Sequence, residues 1–140
     1  MMQYDPTHPR VVQDDSWSCS CATTSWMLQS VGVYAPYPTV EQDMLAAGLV
    51  TRGDGLLVGS AGPLTRWVPE HYGVQTGRVV APVSWGWLRE NAGNKPIGIG
   101  SSVWYHWSGV RAAGVDGNLL LANPADGHMG VPQEMTQQQF

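Results

Sequence analysis

The Asp116-Gly117 dipeptide, set between two apolar runs, constrains this chain more than any other single feature. Asp-Gly supplies the positive-φ positions of a tight reverse turn whose twist matches paired strands, so it predicts a β-hairpin. The strands are read over residues 106–113 and 118–122. Antiparallel pairing then brings His106, which opens the first strand, to the same end of the ladder as Asn123, which closes the second. An Asn oxygen at that place can accept from one imidazole N–H and fix the tautomer of the ring.

The first half of the chain carries a different period. Residues 20–31 read as a helix, with Trp26, Met27 and Val31 at helical spacing and Gly32 where a C-terminal cap glycine belongs. Residues 39–47 read as a second short helix, with Thr39 as its N-cap and Val40, Met44 and Ala47 on one face. Residues 51–62 are glycine-rich and read as a surface loop. Residues 63–72 suggest a third helix stopped by Gly73, residues 74–80 a strand, and residues 84–91 a fourth helix weakened by Gly86. Residues 96–102 alternate apolar and small side chains, and 136–140 begin as a helix and stop. Helices first and an antiparallel sheet afterwards predict an α+β fold.

At 140 residues the chain is read as one domain over 1–140, cut short at its C-terminal end. It is long enough to bury a core without staples. A charged fraction of 13% against 43% hydrophobic residues argues for a compact globule. The net charge of −4, a single lysine (Lys95) and scattered arginines speak against a nucleic-acid surface. No apolar run opens the chain and none approaches the length of a membrane span, so synthesis in the cytoplasm and no membrane insertion are expected. Oligomeric state is left open.

Two cysteines, Cys19 and Cys21, are too close in sequence for an unstrained disulfide. Cys19 lies at the start of the first predicted helix, where backbone amides and the macrodipole favour a thiolate. Gln13 stands six positions ahead of it. An amide there can fold back over the cysteine and donate to an oxyanion beside the Cys19 N–H. Each residue also has a plainer role: Cys19 as a small buried hydrophobe, Asn123 before Pro124 as a turn opener, and Gln13 on a solvated arm. Cys19 is expected to be solvent-accessible at the helix N-terminus, while Cys21, inside the first turn, reads as core. His8, His71 and His128 read as surface, and Asp14 and Asp15 as solvated neighbours that point apart. A zinc site from Cys19, Cys21, His106 and His128 has the wrong cysteine spacing, so no metal is expected.

The run Gln13-Asp14-Asp15-Ser16-Trp17-Ser18-Cys19, followed by Ala22-Thr23-Thr24-Ser25-Trp26-Met27-Leu28 and Gly32, resembles the nucleophile segment of the bacteriocin-leader-processing type of cysteine peptidase, within the papain-like superfamily. His106-Trp107-Ser108-Gly109-Val110-Arg111, with Leu119-Leu120-Leu121-Ala122-Asn123-Pro124-Ala125, is similar to its second half. The resemblance spans Gln13 to Ala125. It implies a papain-like fold with Cys19 as nucleophile, His106 as base, Asn123 as the orienting residue and Gln13 as oxyanion donor, with no cofactor. Two positions depart from the pattern: Ser20 stands where the family has glycine, and Asn123 where many members have Asp. Trp17, Trp104 and Trp107 flank these residues and are read as walls of a substrate cleft. The implied reaction is peptide-bond hydrolysis. Similarity to peptidase modules of actinobacterial phage lysins points to peptidoglycan stem peptides, cut by an endolysin released to the cell wall. A small peptide precursor is the enzymatic rival. The alternative from another class is a catalytically inactive papain-like module that binds a peptide or protein partner.

Overall fold

The computed structural model describes residues 3–56, 61–77, 79–101, 106–125 and 133–140. The elements run α1 (Cys19–Ser30), α2 (Tyr37–Ala46), β1 (Val50–Thr51), β2 (Gly55–Leu56), α3 (Ala61–Tyr72), α4 (Trp85–Asn91), β3 (Ile97–Ser101), β4 (His106–Ala113), β5 (Leu119–Ala122) and β6 (Glu134–Met135), with a closing 3-10 turn at Gln137–Gln139. The β1–β2 pair is a small hairpin, and β3-β4-β5-β6 is an antiparallel meander. The fold is therefore mixed α+β.

α1 is buried on nearly every side. A helix in that position needs small residues where neighbours press close, and Ser20, Cys21, Ala22, Thr23, Thr24 and Ser25 supply them. Of their hydroxyls, Ser25 Oγ donates to Ala35 O at 2.7 Å, whereas Ser20 Oγ and Thr23 Oγ1 are buried without a hydrogen-bond partner. The helix ends in a Schellman arrangement. Gly32 adopts φ 85°, its N–H reaches Gln29 O at 3.0 Å, and the Val33 N–H reaches Leu28 O at 3.0 Å.

The sheet lies between α1 and α4. Alternation puts Ile97, Ile99, Val110, Leu119 and Leu121 on one face, where Leu88 of α4 and Met135 complete an apolar cluster. The opposite face carries Gly98, Gly109 and Ala122 toward α1. A Cβ at Gly109 would stand 2.5 Å from the Trp26 ring, so α1 sits this close only because the side chain is missing. A second core gathers Cys21, Leu28, Val40, Met44, Leu49, Val50, Val68 and Val74 among α1, α2, β1 and α3.

The N-terminal arm is bound down rather than free. Arg111 sits at a register shift in β4, and its Nη1 donates to Pro6 O at 2.9 Å and His8 O at 2.8 Å. Tyr4 donates back to Arg111 O at 2.7 Å. Arg10 Nη1 donates to Asn123 O at 3.0 Å and Ala125 O at 3.2 Å.

Several local expectations change. α2 begins at Tyr37, two positions before Thr39, because Pro38 serves as a first-turn proline instead of a breaker. Pro36 is the N-cap, and the Thr39 and Val40 amides both bond Pro36 O. The glycine-rich stretch from residue 51 holds the β1–β2 hairpin, not a plain loop. The strand expected over 74–80 does not form at its described residues, 74–77 and 79–80, where no ladder partner lies alongside. Val74 is spent instead in the helical core. Residues 97–101 pair fully with β4. Among the described residues no helix is long and apolar enough to cross a membrane.

Candidate active site

β5 ends at Ala122, opposite Gly109 of β4. Beyond that point β4 continues back to Trp107 and His106 with β3 still paired on one edge, at Gly100 and Ser101, but with β5 gone from the other, and the N-terminus of α1 meets it there. Cys19 is the first residue of α1. Its Sγ accepts a hydrogen bond from the Trp107 N–H at 3.4 Å. A backbone donor beyond the end of the β4–β5 ladder is thus turned onto sulfur.

One residue along, the His106 Nε2 stands 2.8 Å from Asn123 Oδ1 within the buried interior. Asn123 Oδ1 can only accept, so Nε2 carries the proton and Nδ1 is left with the lone pair. Asn123 is itself held from three sides. Its Oδ1 also accepts from the Ala125 N–H at 2.9 Å, its N–H donates to Gln133 Oε1 at 3.1 Å, and Gln133 Nε2 donates back to Asn123 O at 3.3 Å. Leu121 N–H bonds the Gln133 carbonyl at 2.8 Å, so the Gln133 side chain prolongs the β5 ladder by one residue.

Gln13 is buried on the arm that crosses this end of the sheet, its N–H bonded to Pro124 O at 2.9 Å. Its Nε2 donates to Asp15 O at 2.6 Å, which uses one of two N–H bonds, and its Oε1 is buried without a partner. Asp15 Oδ1 accepts from Trp17 N–H at 3.2 Å and Ser18 N–H at 2.9 Å, just ahead of α1. The N-cap Ser18 makes no cap bond of its own; its Oγ meets the Tyr37 hydroxyl, which donates to Asp14 Oδ1 at 2.9 Å.

The electrostatics differ from the sequence expectation. Burial pushes the Cys19 thiol above its ordinary pKa; the amides of Trp107, Ser20 and Cys19 pull it down without offsetting that, and the Asp15 charge adds to the rise. The helix start does favour a thiolate, but desolvation outweighs it. Burial likewise lowers the His106 pKa, with the Asn123 bond opposing. At neutral pH the pair is therefore a thiol and a neutral imidazole.

Accessibility is corrected too. Cys19 was expected to face solvent but is only 8% exposed; Cys21, expected in the core, is fully buried, with its thiol pushed up to about 12. Asp14 and Asp15 do not point apart: their carboxylate oxygens and that of Glu41 lie within 4.8 Å of one another. His71 is at the surface but partnered, stacked on Trp67 and 2.9 Å from Asp43 Oδ2. Trp17 packs on the helical core beneath Arg52, and half-buried Trp107 lies over Gly100 on the α1 side. Trp104 and His128 lie outside the described residues.

Of the residues the sequence singled out, the structure bonds His106 to Asn123, ties Cys19 to the strand residue beside His106, and buries Gln13 on the arm. Sequence reasoning missed the holding roles of Asp15 and Gln133. For Asp15 a signal existed, an Asp three positions ahead of the N-cap; Gln133 carried none, since its bonds run to backbone distant in sequence. Comparisons with protein-family models, with curated proteins and with solved structures find no match to this chain.

Proposed function

We propose that the chain is a papain-like cysteine peptidase acting through Cys19, His106 and Asn123. One observation supports the reading above the others. A cysteine at a helix N-terminus is bonded to the strand residue next to a histidine whose far nitrogen is held by an asparagine. In this reading the neutral His106 Nδ1 takes the thiol proton as Sγ attacks a peptide carbonyl carbon. The Sγ–C bond forms, and the carbonyl π pair moves to oxygen. The Cys19 N–H and the second Gln13 Nε2–H receive the oxyanion. Collapse expels the amine, which leaves with the proton from His106, and water hydrolyses the thioester. The Asn123 bond keeps the ring in one tautomer through both transfers.

The substrate follows from resemblance: a cell-wall stem peptide or a small peptide precursor, with Trp17 and Trp107 near the scissile bond. The second reading, an inactive papain-like module that binds a peptide or protein, draws on the burial of Cys19. Incubation with an epoxysuccinyl peptide separates the two. Peptidase chemistry predicts stoichiometric modification of Cys19 that is lost in His106→Ala; an inactive module stays unlabelled at Cys19.

A further inference from the structure

We infer that Asp15 is the positioning residue of the nucleophile turn, a role that rests on the peptidase reading. Its two acceptor groups hold opposite sides of the site. The carboxylate Oδ1 gathers the Trp17 and Ser18 N–H groups ahead of α1, and the carbonyl takes the Gln13 amide. Two amides that precede the helix are thereby consumed, while the Cys19 N–H stays out of that network and the Gln13 side chain is fixed with one N–H still to give. The N-cap Ser18 does not do this work, because its hydroxyl is turned to Tyr37.

The same carboxylate acts on the sulfur through space. It stands among Asp14 on the arm, Glu41 and Tyr37 from α2 and Arg52 from the β1–β2 turn, while His106 of β4 directly precedes the Trp107 whose amide bonds the Cys19 sulfur. Of the acidic groups beside it, Asp15 is the one whose charge raises the Cys19 pKa; at Cys21 the Glu41 charge comes first and Asp15 adds to it. Hydrogen bonding and charge at Asp15 therefore pull in opposite directions. The acceptor builds the site, and the charge adds to the burial that holds the thiol in its protonated form.

Two substitutions separate these effects. Asp15→Asn keeps an Oδ1 acceptor and removes the charge; Asp15→Ala removes both. The probes are iodoacetamide, with Cys19 modification followed by peptide mass mapping from pH 6 to 10, and p-nitrophenyl acetate, with the nitrophenolate burst followed in the same proteins. Expected is a Cys19 alkylation profile shifted to lower pH in Asp15→Asn. Expected too is a burst rate reduced on the order of 10²-fold in Asp15→Ala and largely restored in Asp15→Asn. Equal burst rates in both variants and the parent, or an unshifted profile in Asp15→Asn, overturn the inference. Should Asp15→Ala fail to fold by circular dichroism, the Asp15→Asn profile decides it alone. Alkylation needs no turnover. An absent burst in the parent therefore counts against the peptidase reading, while the shift in alkylation still tests Asp15.

Discussion

His106 and Asn123 were legible as a pair before any coordinates, because an Asp-Gly turn fixes which residues share the open end of a hairpin. The 2.8 Å bond between them gives that pairing a consequence. Asn123→Ala should free the imidazole to rotate and exchange tautomers, slowing acylation by p-nitrophenyl acetate about 10²-fold or more while the fold persists. Nitrogen NMR of the His106 ring should show a mixture of tautomers in the variant and a proton on Nε2 in the parent. Gln13→Ala should cost on the order of 10²-fold in the acylation rate and leave binding of a substrate-like peptide unchanged, since a donor aimed at an oxyanion acts only where the charge develops. Stopped-flow bursts across a range of ester concentrations separate those two quantities. Less legible was the protonation state. A cysteine opening a helix reads as a thiolate, but Trp107, whose amide lies against the sulfur, comes from far along the chain, and sequence position does not reveal how dry a site is. Alkylation of Cys19 should therefore rise with pH above the range of an exposed thiol, and an alkylation midpoint below that range would contradict the assignment.

At the scale of elements, the parts that carry their own punctuation were readable. α1 and α3 end at Gly32 and Gly73, both with positive φ, and α4 starts at Ser84, whose side chain caps the Trp87 N–H at 3.1 Å. The parts that depend on a neighbour were not. Residues 74–80 have strand-forming composition, but the described ones, 74–77 and 79–80, join no ladder, and β6, only two residues long, shows no alternation to detect. The α1–sheet contact is likewise invisible in sequence, although it sets the site, because it rests on the absence of side chains at Gly98 and Gly109. Gly109→Ala places a methyl against the Trp26 ring and Ala122. Overpacking of that kind costs about 1–3 kcal/mol. Urea unfolding should show a loss of that order, and the Trp107 amide should draw away from Cys19 as α1 is pushed off the sheet. Unchanged stability would mean that α1 does not seat on β4 through this glycine.

For the whole molecule, the buried ionisable groups set a window of pH stability. His106 has a folded pKa below its ordinary 6.5. As pH falls through 6.5 the unfolded chain takes up a proton that the folded chain refuses, so stability present above 6.5 drains away until the folded pKa is passed. On the alkaline side Cys19 and Cys21 are raised above 9.0, and Tyr4 and Tyr72 are pushed from 10.0 to about 12. There the unfolded chain loses protons first, and stability falls as pH rises from about 9 towards 12. Urea midpoints should thus be highest between about pH 7 and 9, and the acid slope should flatten in His106→Gln. The arm, the helix and the sheet all exist, on this account, to bring one thiol to one imidazole. The most direct measurement is the burst of nitrophenolate when the parent protein, Cys19→Ala, Cys21→Ala and His106→Ala each meet p-nitrophenyl acetate, with the acylated residue identified by mass spectrometry. The account predicts one equivalent of acyl group on Cys19 in the parent and in Cys21→Ala, and none in Cys19→Ala or His106→Ala. Acylation that survives the loss of His106, or that falls on Cys21, would contradict it.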